Sequence, residues 1–247
     1  MRTSSRISLP AGLTGGKIFC FFLFIVLAPV YAAVVAAQNP LPRSDFQIRN
    51  DVTIVLPVMK GTSAKGKSFD RISVFLLGVL RLGQNRLYPV DERVGGGFDF
   101  LINRFFAVST GYLYRTSEPL RNRREFEHRL FFDLTAGYKW KNFTLKDRNR
   151  VEYRFRNSRP DIVRYRNKFT FAFRVPKDKK EVFSPFLANE VFYDFHEKDW
   201  SMNEFSVGIT RKLSKSTAAD FYFLRRDSRS GQIRSVNALG VSIKIHL

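Results

Sequence analysis

Glu125-Phe126-Glu127-His128-Arg129-Leu130-Phe131-Phe132-Asp133-Leu134-Thr135-Ala136-Gly137-Tyr138 is the stretch whose reading decides the fold. Phe126, Leu130, Phe132, Leu134, Ala136 and Tyr138 share one parity, while Glu125, Glu127, Arg129, Asp133 and Thr135 share the other. A strand sends successive side chains to opposite faces, so this spelling makes one apolar face and one charged face. Wound into a helix, the same residues would scatter charge all round the cylinder. The segment is therefore a strand.

The next two segments repeat the arrangement. Leu145, Val151, Tyr153 and Phe155 oppose Lys146, Arg148, Arg150, Glu152, Arg154 and Arg156; then Val163, Tyr165, Phe169, Phe171, Phe173 and Val175 oppose Arg164, Arg166, Lys168, Thr170 and Arg174. Turn-forming residues separate them at 139–142 and 157–161, which makes successive antiparallel hairpins. Further strands are predicted at 46–58, 70–82, 92–102, 104–115, 184–195, 202–213, 217–227 and 233–247.

With these three the count is eleven. A bacterial barrel with both chain ends in the periplasm needs an even number. Parity thus predicts ten, with 46–58 outside the wall, or twelve, with a short strand before residue 92; twelve is the number taken here. Tight connections near Asn103, Lys141 and Ser214 face longer ones at 116–123, 157–161, 196–201 and 228–232, with 176–183 as the exception. Short periplasmic turns opposite longer outer loops produce such a pattern.

Composition bounds the class. The 247 residues suit one domain, and 26 Phe with 9 Tyr is a heavy aromatic load for a chain that is 26% charged. The N-terminus carries Arg2, Arg6 and Lys17, then an apolar run from Ile18 to Val35, then Val35-Ala36-Ala37 before Gln38. Residues 1–37 read as a secretory signal peptide, with alternative cuts after Ala32 or Ala33 and an uncleaved anchor as the competing reading. Residues 38–247 form the barrel domain. Removing residues 1–37 deletes three cations and no acid, leaving +17 of the chain's +20. The one cysteine, Cys20, lies inside the apolar run, which excludes a disulfide and cysteine-ligated metals from the rest.

Period two alone does not separate a membrane barrel from a soluble one. The export signal, strand lengths suited to a tilted crossing of a bilayer, and aromatics near strand ends (Tyr112, Tyr114, Tyr138, Trp140, Trp200) favour an all-β, antiparallel, up-and-down barrel of ten to twelve strands in the bacterial outer membrane. Its charged phase then lines the lumen. The lumen-facing candidates are Glu127, Arg129, Arg148, Arg150, Glu152, Arg154, Arg164, Arg166 and Glu190. Inward Glu125, Asp133, Asp194 and Glu204 on flanking strands offer them partners, giving a lumen zipped shut by cross-strand ion pairs; the cationic surplus offers instead a narrow anion passage or an anionic-ligand pocket.

The chain resembles the outer-membrane proteins grouped as domain of unknown function 2490, over roughly residues 46 to 247. The resemblance is carried by Glu127-His128-Arg129, Arg148-Asn149-Arg150-Val151-Glu152-Tyr153-Arg154, Arg164-Tyr165-Arg166 and Asn189-Glu190-Val191-Phe192. Members often have an Asn-Arg pair leading into a Gly-containing strand; here Asn203-Glu204 precedes Gly208, and Leu247 stands where many such barrels end in an aromatic. The resemblance implies an outer-membrane barrel and no particular activity.

Other motifs read blandly. His128, His196 and His246 lack a second ligand at metal-site spacing, so no metal or cofactor is expected. His128, on the outward phase beside Glu127, is the residue on which a lipid-facing hydrolase would be built, but a wall histidine is the simpler reading and no enzyme is expected. Gly95-Gly96-Gly97 lacks the Lys-Ser or Lys-Thr of a phosphate loop and fits a bend or close strand approach. Basic residues interleaved with aromatics also suit nucleic acid, which export argues against. The expected partners are outer-membrane lipid and a small anionic solute. A soluble periplasmic ligand-binding barrel is the alternative.

Overall fold

The computed structural model describes residues 43–62, 66, 68–85, 87–120, 123–177 and 180–247. The proposed export signal, residues 1–37, lies outside them. Among the described residues every regular element is a strand: β1 (Ser44–Thr62), β2 (Ser68–Gly83), β3 (Tyr88–Leu101), β4 (Phe106–Leu120), β5 (Arg123–Lys139), β6 (Phe143–Arg156), β7 (Ile162–Phe173), β8 (Val175–Lys177), β9 (Lys180–Asp194), β10 (Asp199–Lys212), β11 (Thr217–Ser228) and β12 (Ser235–His246). The three-residue β8 continues β7 past Arg174 and pairs only with β9. The wall therefore has eleven strands, each hydrogen-bonded to its chain neighbours, and it closes where β1 meets β12.

This corrects the choice of twelve. No strand fits between Gly83 and Tyr88, and β1 is a full member of the wall. In a meander, odd-numbered strands all run the same way, so an eleven-stranded wall must close with a parallel pair. β1 and β12 are parallel over twelve registered positions, from Ser44↔Ser235 to Val55↔His246. Every other pair in the wall is antiparallel. The parity rule assumes both chain ends on one side; here β1 enters at one rim and β12 leaves at the other.

Call the lower rim the one bearing the connections at 102–105, 140–142 and 213–216, and the upper rim the one bearing 84–87, 157–161, 195–198 and 229–234. Connections are short at both. The loop expected over 116–123 is largely strand, because β4 runs to Leu120 and β5 begins at Arg123. The connections named run 3 to 4 residues below and 4 to 6 above, so the expected alternation of turn lengths is weak.

The outward phase is apolar and open to the surroundings: Leu76, Val94, Phe98, Leu130, Phe132, Phe169, Leu187, Phe205, Val207, Phe221 and Leu239 are all exposed. Aromatic rings gather towards each rim. Tyr138 meets Trp140 edge-on at 4.4 Å and Trp140 stacks on Phe143 at 4.5 Å below, while Tyr153 packs on Phe155 at 4.5 Å and Tyr193 on Trp200 at 5.3 Å above.

Inside, glycine shapes the wall. Gly95, Gly97 and Gly111 leave the inner face of β3 and β4 bare, and the rings of Phe75 from β2 and Phe131 from β5 lie over it, 6.3 Å apart and packed with Val55. A Cβ on Gly97 would overlap the Thr110 carbonyl oxygen and stand 2.8 Å from Phe75 Cζ. One on Gly111 would stand 2.8 Å from Phe131 Cζ. Large rings over glycine backbone let a small barrel curve tightly and still fill its interior.

Candidate functional site: an arginine-lined lumen

Glu127 and Arg129 of β5 sit two residues apart on the inward phase, and the same spacing sets Arg148, Arg150, Glu152 and Arg154 along β6 and Arg164 and Arg166 along β7. Antiparallel register then places Glu127 opposite Arg156, Asp133 opposite Arg150, Glu152 opposite Arg164 and Lys168 opposite Glu190. The side chains do not simply pair straight across. Strands in a barrel are tilted, so long guanidinium arms reach diagonally along the inner wall.

Three carboxylates act as hubs. Glu127, 3% exposed, accepts from Arg129 at 2.5 Å, Arg154 at 2.6 Å and Arg115 at 3.2 Å. Glu152, 2% exposed, accepts from Arg166 at 2.6 Å and lies 3.5 Å from Arg150 and 3.9 Å from Arg129. Asp91 is held by Arg93 at 2.6 Å and Arg115 at 2.7 Å, with Arg81 at 3.9 Å. Around them, Glu190 bridges Arg148 at 2.7 Å and Arg166 at 2.6 Å, Asp133 holds Arg150 at 2.6 Å, and Asp194 holds Arg164 at 3.2 Å. Eight of the nine lumen-facing candidates are thus joined in one continuous network on the inner wall, and the ninth, Arg164, pairs separately with Asp194.

One ion pair among the described residues joins strands three places apart in the wall. Arg49 on β1 reaches Glu204 on β10 at 3.3 Å, passing over the inner faces of β12 and β11. Arg49, Arg81, Asp91, Arg93, Arg115 and Arg226 belong to the same belt and were not among the sequence candidates. Asp91 was missed because the strand predicted from residue 92 starts four residues late, whereas Arg49, Arg81, Arg93, Arg115 and Arg226 lie inside predicted strands and follow the period-two signal. The Arg49–Glu204 contact, between strands far apart in sequence, leaves no local trace.

The belt divides the lumen. Towards the lower rim lies a cavity of about 800 Å³, lined among others by Lys146, Arg148, Lys168, Thr170 and Arg174. Towards the upper rim is one of about 370 Å³, reaching Arg159 and Gly231. Between them a cavity of about 170 Å³ shares Arg129, Glu152, Arg166 and Glu204 with the first and Asp91, Arg115, Arg164 and Arg226 with the second.

This middle cavity is lined by eight arginines (81, 93, 115, 129, 154, 164, 166 and 226) against the carboxylates of Asp91, Glu152 and Glu204. Arg81 Nε, Arg154 Nη1, Arg164 Nε and Arg226 Nε are buried donors with no acceptor among the described residues. In a low-dielectric enclosure such unmatched N–H groups favour water or an anion strongly over an empty or apolar filling. In the lower cavity, Lys146 and Lys168 make no ion pair among the described residues, adding to the positive potential on the approach.

The histidines stand apart from this network. His128 is on the outer wall, its Nδ1 2.5 Å from the Tyr112 hydroxyl and its ring beside Tyr114. His246 Nε2 lies 3.2 Å from Asp70, and His196 is in an upper turn where its backbone N–H donates to Asp194.

Comparison with known proteins gives a family and several distant shapes. A family model described as protein of unknown function (DUF2490) matches residues 61–235. A search of curated proteins returns no match. Among solved structures, the chain is similar to an anion-selective porin from Comamonas acidovorans at 14% identity and a TM-score of 0.38, over 71% of this chain and 53% of that one. It is also similar to LpxR from Salmonella typhimurium, at 10% identity and 0.41 over 72% and 83%, and to the NanC porin, at 9% identity and 0.47 over 81% and 99%. The chain spans about half the length of the Comamonas porin.

Proposed function

This chain belongs to the DUF2490 family, and we propose that it is an outer-membrane β-barrel with a narrow lumen that passes small anions through an arginine-lined constriction. The observation that carries the reading is the middle cavity of about 170 Å³, with eight arginines, three carboxylates and buried guanidinium donors that lack an acceptor among the described residues. A cation entering there meets net repulsion in a poorly screened enclosure. An anion meets charge and hydrogen-bond donors already held in place by Asp91, Glu127 and Glu152.

The membrane placement is supported by the distribution of polarity. Water-soluble barrels turn charge outward; this one exposes Leu, Val and Phe around its waist and hides Arg and Glu within. An apolar surface of that extent is compatible with lipid and costly in water. Strands of 12 to 19 residues exceed the roughly 9–11 needed for a tilted crossing. The same inside-out arrangement weighs against a soluble periplasmic barrel. The reading assigns no catalysis: His128, on which a hydrolase would be built, is engaged by the Tyr112 hydroxyl on the outer wall.

Purified protein in a planar bilayer under a potassium chloride gradient tests the proposal. The expected result is a small conductance with a reversal potential on the chloride side, moved towards zero by Arg226→Gln. Silence, or a cation-selective reversal potential, refutes it.

A further inference from the structure

Between the two aromatic girdles, a cluster of polar side chains on β6, β7 and β9 interrupts the apolar outer wall. Asn149 of β6 and Asn167 of β7 are registered partners, each near the middle of its strand and on the outward phase with Val151 and Phe169. Asn167 Nδ2 donates to Asp147 Oδ1 at 2.5 Å and to Asn149 Oδ1 at 3.1 Å. Asn149 Nδ2 donates to Asp147 Oδ2 at 3.0 Å, and the Tyr165 hydroxyl donates to Asn149 Oδ1. On the next strand of the wall, β9, exposed Asn189 pairs in register with Phe169 on the same outward phase. Below the patch an apolar trough of about 330 Å³, with Ala136 among its lining and Phe106, Tyr138 and Phe169 at its sides, reaches Asp147.

Lipid tails offer nothing to a carboxyl group or an amide, and headgroups lie half a bilayer away from mid-wall. The internal hydrogen bonds use only part of the patch's capacity. Asn167 Oδ1, one N–H of Asn149 and the Asn189 amide have no partner among the described residues, so the patch still offers both donors and acceptors. In hydrocarbon such groups are commonly met by another protein surface. The occupant must present mid-wall polar groups of both kinds at this height.

We propose that the occupant is a second copy of this chain, and that the β6–β7–β9 face is the contact through which two barrels associate side by side; the inference rests on the membrane placement proposed above. A twofold axis along the membrane normal preserves height, so it brings mid-wall amides against mid-wall amides, which hydrogen-bond to each other in pairs. Beside that face, the trough over Ala136 adjoins the patch at Asp147 and Phe169 and offers an apolar recess next to the amides. A surface carrying its own complement needs no further component.

Energy transfer between donor- and acceptor-labelled copies in phosphatidylcholine vesicles, followed as lipid is added, measures the association. The wild-type chain is expected to show transfer that fades with dilution. The variant Asp147→Leu with Asn149→Leu and Asn167→Leu is expected to need at least tenfold less dilution to lose it. Heat-modifiable gel migration checks that both are folded barrels; the single change Asn189→Leu, expected to act in the same direction, covers the case in which the triple variant does not fold. A folded wild-type barrel that stays monomeric in vesicles, or a patch occupied by co-purifying lipid, overturns the interface and leaves the membrane placement standing. Equal association of wild type and variants also overturns it. A chain that remains soluble without detergent overturns both readings.

Discussion

The carboxylate of Glu127 is the place where the ion-pair belt can be tested one atom at a time. Glu127→Gln keeps the shape and exchanges an acceptor oxygen for an NH₂ group facing guanidinium. Three arginines lose charge compensation, but unequally. Arg115 retains Asp91 at 2.7 Å, Arg129 retains only the longer contact to Glu152 at 3.9 Å, and Arg154 has no other ion pair among the described residues. Arg154 is 5% exposed, so its charge is left buried and unmatched. Removing one partner of a buried pair costs about 3–5 kcal/mol, mostly as the penalty of the orphaned charge. The loss at Glu127 is expected in that range. Adding Arg154→Met should then recover a sizeable part, on the order of 1.5–3 kcal/mol, because the orphan is gone. Urea unfolding from phospholipid vesicles, followed by the fluorescence of Trp140 and Trp200, reports both steps. A loss under about 1 kcal/mol would refute the reasoning, since exposed pairs are worth only that much and the belt would have to be well hydrated. So would a double variant no more stable than Glu127→Gln.

Charge should be resisted outside and accepted inside. Val207→Arg, at an exposed outward position in the middle of β10, is expected to cost about 2–4 kcal/mol in the same unfolding assay, whereas Thr170→Glu, lining the lower cavity among lysines, should cost under about 1 kcal/mol; equal costs would contradict the assignment of faces. Gly97→Ala forces a methyl group against the Thr110 carbonyl and the Phe75 ring, and overpacking of this kind costs about 1–3 kcal/mol. Gly97→Ala combined with Phe75→Leu should recover part of that loss, and no recovery would mean that the backbone contact alone decides.

Much of this molecule is legible in its residues. Alternation along 125–138, 143–156 and 162–173 defines both the strands and their charged faces, because side-chain direction in a strand depends on parity alone. The nine lumen candidates come from that parity, and so does the supply of acids on neighbouring strands. The outer polar patch was also within reach: Asp147, Asn149 and Asn167 stand on the apolar phase of their strands, and an interruption there marks a position that lipid does not suit. Reading each strand for its dominant pattern passes over such exceptions.

Tertiary structure decided what parity cannot express. Alternation counts eleven strands but is the same whichever face turns inward, so that all eleven belong to one ring, closed by a parallel seam between β1 and β12 where a parity rule demanded an even number, follows only from the closed wall. The diagonal choice of partners, such as Arg154 with Glu127 and Arg166 with both Glu152 and Glu190, depends on strand tilt. The reach of Arg49 over β12 and β11 to Glu204 depends on the curvature of the closed wall. A sequence states what each face is made of; which charged side chains meet, and that eight arginines converge on one small cavity, belongs to the closed barrel, because closure brings together strands distant in sequence.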